Sequence, residues 1–150
     1  MMYVTYYLND EFVNDIIKMI KKYTGKYYRK NTHTKKGLQT YNIRNLFEND
    51  MLKKIIPINN LHKKIYNMWY VKYHKGGYQT EHWHPTEEQS FILYLNNADG
   101  DTFFKDPINI KVTPKKGKII LFDSRIKHSA NPSFKGKKVL VGGMHSDYNG

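Results

Sequence analysis

From Trp69 onward the chain is a succession of short β-prone stretches, each closed by a turn signal. No other feature limits its fold as strongly. Residues 69–73 (WYVKY), 78–84, 90–95 (SFILYL), 102–104, 109–112, 118–122 and 139–142 are rich in aromatic and β-branched residues. Between them stand Gly76-Gly77, Pro85 and the run NNADGD at 96–101. Seven short strands at this spacing predict a sandwich or a jelly-roll barrel. Upstream the grammar is helical. Phe12, Val13, Ile16, Ile17 and Ile20 recur at three-to-four spacing behind Asp10, the expected N-cap, before Tyr23 and Gly25. Residues 26–37 read as a lysine-rich loop. A second helix is expected from about Asn49, through Met51, Leu52, Ile55 and Ile56 to Pro57, with another turn or two over 61–68. The expectation is an α+β fold in one domain over 1–150, with helical support at about 1–68 and a barrel core at about 69–150.

Composition then removes whole classes of chemistry. The 150 residues include no cysteine, which excludes disulfides, thiolate zinc sites, iron–sulfur clusters and cysteine nucleophiles. No apolar run approaches the ~20 residues of a membrane span, and the N-terminus lacks a secretory pattern. A soluble cytoplasmic protein with no membrane partner is the expectation. The formal charge of +12 invites a polyanion partner. Of the 25 cations, however, only Arg29, Arg44 and Arg125 are arginine, the residue that makes bidentate contacts to guanine and phosphate. A genome rich in AT codons raises lysine without any such partner, so both readings of the charge stay open.

Seven histidines occur, His33, His62, His74, His82, His84, His128 and His145, and the informative ones are His82, His84 and His128. His82 and His84 are two apart, so on a strand both imidazoles face one way while Trp83 faces the other. That arrangement suits a first-row metal. His128 follows the apolar strand at 118–122 by six residues, and in a jelly roll such a residue returns to the mouth of the barrel.

These segments together resemble the non-haem Fe(II)- and 2-oxoglutarate-dependent oxygenases, especially the prolyl-4-hydroxylase-like and small phage or bacterial members. The likeness covers residues 69–143. It is carried by Tyr73-His74-Lys75-Gly76-Gly77-Tyr78 ahead of the histidine pair and by Tyr94-Leu95-Asn96 after it. Gly100-Asp101-Thr102-Phe103-Phe104 and the run from Pro114 through Gly117 to Phe122, followed by His128, complete it. The resemblance implies Fe(II) held by His82, His84 and His128, with 2-oxoglutarate and O2 as cosubstrates and ascorbate as a supporting reductant. It implies hydroxylation of a C–H bond with release of succinate and CO2.

Two departures accompany it. The family's second ligand is Asp or Glu, whereas here it is His84, which leaves three neutral ligands; Glu88 is the alternative carboxylate. The cation for the cosubstrate's distal carboxylate falls at Lys138, ten residues past His128, with Lys137 on the opposite pleat. Tyr73 and Tyr94 match positions whose hydroxyls help bind 2-oxoglutarate. Trp83 and the basic loop at 26–36 are candidates for substrate contact. A cupin-type metalloprotein using His82, His84, Glu88 and His128 without 2-oxoglutarate is the alternative, and a basic binding module a third reading. The substrate stays open among a protein side chain, a nucleobase and a small metabolite.

Overall fold

The computed structural model describes residues 3–22, 28–30, 32–56 and 64–146. In chain order these form β1 (Tyr3–Tyr7), α1 (Asp10–Lys21), β2 (Thr34–Gln39), a short 3-10 turn (Arg44–Leu46) and α2 (Asn49–Ile55). Seven further strands follow: β3 (Lys64–His82), β4 (Gln89–Tyr94), β5 (Thr102–Phe104), β6 (Ile110–Val112), β7 (Lys118–Asp123), β8 (His128–Ser133) and β9 (Lys138–His145). All pairings are antiparallel, in the order β1-β7-β4-β9-β3-β8-β5-β6, with β2 on the other edge of β3. The sheet curls over on itself as a jelly roll.

The curl is made by β3. Its first half pairs with β9 from Lys64 to Lys72, and its second half pairs with β8 from Gly77 to His82. Between the two registers lies Gly76 at φ +82°, a conformation that glycine adopts without steric cost. The two glycines that suggest a hairpin turn therefore lie inside one long strand and hand it from one partner to the next.

Strict alternation along the central strands divides the core in two. Ile92 and Tyr94 of β4, Ile120 and Phe122 of β7, and Val139 and Val141 of β9 fill the barrel with Val71, Tyr73 and Phe104. Phe91 and Leu93, Ile119 and Leu121, and Leu140 face outward onto Val13, Ile16 and Ile20 of α1 and Leu52 and Ile55 of α2. The helices exist to cover that second apolar face.

Several sequence expectations change here. The N-cap of α1 is Asn9, whose side chain accepts from the Phe12 N–H at 2.8 Å; Asp10 is the first helical residue. The helical continuation expected up to residue 68 is strand from Lys64. Residues 34–37 of the expected loop belong to β2, β1 precedes α1, and residues 128–133, absent from the expected strands, form β8 with His128 at its start. The positions of Tyr23, Gly25, Pro57 and His62 lie outside the described residues. No helix among the described residues is long and apolar enough to cross a membrane.

Candidate metal centre

Register brings the distal histidine to the pair. His128, first in β8, sits directly opposite His82, last in β3, while Phe104 of β5 is its partner on the other side. His84 lies just past the end of β3, held by its backbone N–H donating to the Ser124 carbonyl at 3.0 Å. The imidazoles of His82 and His128 have centroids 4.3 Å apart, and those of His84 lie 5.0 and 5.1 Å from the other two. One nitrogen from each ring falls within 4.8 Å of the others. Phe104 and Phe122 pack against His128 at 5.5 and 5.0 Å between ring centroids and close the barrel side of the cluster.

The hydrogen bonds fix which nitrogens face inward. His82 Nδ1 lies 2.9 Å from the Thr80 carbonyl and His128 Nδ1 lies 3.1 Å from the Ile126 carbonyl. A carbonyl oxygen only accepts, so both Nδ1 atoms carry the proton and both Nε2 atoms present lone pairs. His84 Nδ1 lies 3.3 Å from the Glu87 carboxylate, and its Nε2 faces His128 Nε2 at 3.3 Å. Burial pushes the pKa of His82 down to about 4 and that of His84 to about 3, and it lowers His128 as well; the neighbouring histidine charges add to this. With His84 protonated at Nδ1, toward Glu87, its Nε2 lone pair would meet that of His128 across 3.3 Å. A cation shared between them, with His82 Nε2 as a third donor, satisfies all three. The donor set therefore fits a first-row divalent metal.

Around the three rings stand residues that the sequence did not single out. His33 stacks on His82 with centroids 4.7 Å apart and rings within 10° of parallel, and its Nδ1 lies 3.3 Å from Thr80 Oγ1. Glu87 is buried beneath His84, where burial raises its pKa while hydrogen bonds from Asn67 and Ser90 lower it. Trp69 tilts against His84 at 5.8 Å. Neither His33 nor Glu87 belongs to a spaced motif, so only the folded chain reveals them.

Two sequence expectations change position. Glu88 is directed away from the cluster, to the end of β9, where it accepts from Ser146 Oγ at 2.6 Å and lies 3.4 Å from His145. Lys138 is exposed, paired across β9 and β3 with Lys72. Lys137 is the residue that enters the barrel, because it shares the pleat of Val139 and Val141. It is 1% exposed, its ammonium donates to the Gly100 carbonyl at 2.7 Å, and it lies 4.3 Å above the Tyr73 ring. Burial pushes its pKa down to about 8, against the pull of Asp101 and Asp99. Tyr73 and Tyr94 are both buried in the same interior, and the Tyr94 hydroxyl donates to Thr102 Oγ1 at 2.5 Å. Trp83 is 45% exposed beside the histidines.

No family model matches this sequence, and no curated protein is similar to it by sequence. Solved structures are similar over nearly its whole length. A Pseudomonas putida prolyl-4-hydroxylase matches with a TM-score of 0.71 and 15% identity, covering 97% of this chain and 93% of that one. The viral collagen prolyl hydroxylase of Paramecium bursaria Chlorella virus-1, as its 2-oxoglutarate complex, matches with a TM-score of 0.69 and 19% identity over 96% of each chain. A 2-oxoglutarate–Fe(II) oxygenase family protein from Burkholderia pseudomallei matches with a TM-score of 0.70 and 12% identity, covering 99% of this chain and 85% of that one. The chain has the fold of the 2-oxoglutarate- and Fe(II)-dependent oxygenases. Within that fold its own histidine cluster lies where the end of β3 meets the start of β8, and the buried lysine shares the barrel interior with Tyr73.

Proposed function

We propose that the protein is a 2-oxoglutarate-dependent oxygenase whose Fe(II) is held by Nε2 of His82, His84 and His128. The observation that carries the reading is the convergence of three imidazoles, one nitrogen from each within 4.8 Å of the others, on a jelly-roll fold. Iron bound there would supply the oxidative decarboxylation of 2-oxoglutarate by O2 to succinate and CO2, coupled to hydroxylation of a substrate C–H bond. The chain's residues do the binding. Lys137 holds the cosubstrate's distal carboxylate in place of its bond to the Gly100 carbonyl, with the Tyr73 ring beneath it. Phe104 and Phe122 keep water from the inner side of His128. Trp83 and His33, both exposed and the latter stacked on His82, are the candidates for substrate contact.

The cupin-type alternative needs a carboxylate ligand from Glu88, and that side chain is engaged at Ser146 instead. The test is an anaerobic titration of the protein with Fe(II) and then 2-oxoglutarate. A weak visible charge-transfer band, appearing only with both and lost in His128→Ala, is the expected result. Stoichiometric Fe(II) with no band on adding 2-oxoglutarate would reject the cosubstrate and favour a 2-oxoglutarate-independent enzyme.

A further inference from the structure

A histidine in the second ligand position leaves the centre without the negative charge that an aspartate or glutamate would bring, and the fold places a carboxylate directly behind that histidine. We propose that Glu87 is the positioning residue of this centre, holding His84 with Nε2 toward the metal and supplying the missing charge through the imidazole. This inference rests on the metal-centre reading above.

The site is built around that carboxylate. Glu87 Oε2 lies 3.3 Å from His84 Nδ1 and accepts from Ser90 Oγ at 3.2 Å, while Oε1 accepts from Asn67 Nδ2 at 3.0 Å. Ser90 Oγ is in turn 2.8 Å from Ser124 Oγ, and Ser124 gives its carbonyl to the His84 backbone N–H. Ser124 thus holds the ligand's backbone directly and the carboxylate behind its ring through Ser90. Gly143 of β9 makes the space: a Cβ there would fall on the Glu87 side chain and within 2.6 Å of Asn67 Oδ1. In a chain of charge +12, the basic side chain set against this buried carboxylate among the described residues is the His84 imidazole, not a lysine or arginine.

A carboxylate accepting from the far nitrogen of a ligating imidazole fixes its tautomer and raises its basicity. His82 and His128 have only backbone carbonyls in that position. His84 is therefore the most electron-donating of the three ligands and stands in for the family's anionic one.

The test uses Co(II) as the probe on the whole protein. In Glu87→Gln the affinity for Co(II) is expected to fall ten- to a hundredfold, and the Fe(III)/Fe(II) midpoint potential to rise, because one negative charge is gone. Co(II) affinity within threefold of wild type, or an unchanged potential, would overturn the proposal. Nitrogen-15 NMR of the wild-type Zn(II) form should find His84 protonated at Nδ1; a proton on Nε2 would overturn it without any variant. His84→Ala separates the two readings. If it binds Co(II) as wild type does, the triad itself is wrong; if it loses Co(II) while Glu87→Gln does not, only the role of Glu87 fails.

Discussion

At the scale of single residues, the choice between Lys137 and Lys138 decides what the barrel can bind. Counting from His128 selects Lys138, but β9 is apolar on both faces, with Leu140 outside and Val139 and Val141 inside, so no alternation in the sequence reveals the pleat. Lys137→Ala is expected to raise the 2-oxoglutarate dissociation constant at least about tenfold, since a charge-assisted hydrogen bond is worth roughly 1.5–3 kcal/mol. Lys138→Ala should leave it within about twofold, and calorimetric titration with Fe(II) or Co(II) present reads both. A pH dependence follows from the same residue. Its folded pKa, about 8, lies below the ordinary 10.5, so between these values the unfolded chain holds the extra proton and stability rises with pH. Cosubstrate binding has the opposite sign. It needs the ammonium, so affinity is level below about pH 7 and falls above about pH 8, approaching tenfold per unit. A level profile to pH 9.5 would remove Lys137 as the anchor. The histidines show the other side of legibility. Their i, i+2 spacing announced His82 and His84, whereas His33 and Glu87 reach the cluster through a strand pairing and a loop that no local pattern encodes.

Elements were legible where their burial was one-sided or their apolar runs long. The stripe of α1 and the runs of β4 and β7 stand out in the sequence. β2 and β8 do not: TKKGLQ and HSANPS are polar strands, recruited by long-range pairing with β3 rather than by their own propensity. The join between α1 and β1 is set by Asn9, and Asn9→Ala should cost about 0.5–2 kcal/mol by thermal or urea unfolding. Gly142 tests the packing of β9 against β4. A Cβ there would fall on the Phe91 ring and lie 3.0 Å from the Asn67 carbonyl. Gly142→Ala is therefore expected to destabilise by about 1–3 kcal/mol, lowering the melting temperature by several degrees. An unchanged melting temperature would mean that β9 and β4 can separate without loss.

For the whole molecule, the metal is expected to act as a structural link as well as a reaction centre. Its three proposed ligands come from the end of β3, the loop beyond it and the start of β8, so binding would pin that end of the β3–β8 pair and the loop to each other. Because the unfolded chain holds no such site, divalent metal at a hundred times its dissociation constant adds about 2.7 kcal/mol. Differential scanning fluorimetry should register this as an upward shift of roughly 5–10 °C, reversed by chelator and absent in His82→Ala and His128→Ala. An equal shift in those variants would place the metal elsewhere on the protein.

Turnover makes the strictest demand, because it requires metal, cosubstrate and fold to act together. With Fe(II), O2 and ascorbate, the purified protein is expected to convert 2-oxoglutarate slowly to succinate even before its prime substrate is known. Three protein ligands would leave positions on a six-coordinate metal for the cosubstrate and for O2, so turnover should not need the prime substrate. N-oxalylglycine, which presents the same two carboxylates but cannot lose CO2, should block the reaction. His82→Ala measures what free iron contributes, and Lys137→Ala should require higher 2-oxoglutarate for the same rate. Succinate at the His82→Ala level from wild-type protein, with iron and 2-oxoglutarate both demonstrably bound, would mean that three histidines hold the metal here without supporting oxygen chemistry.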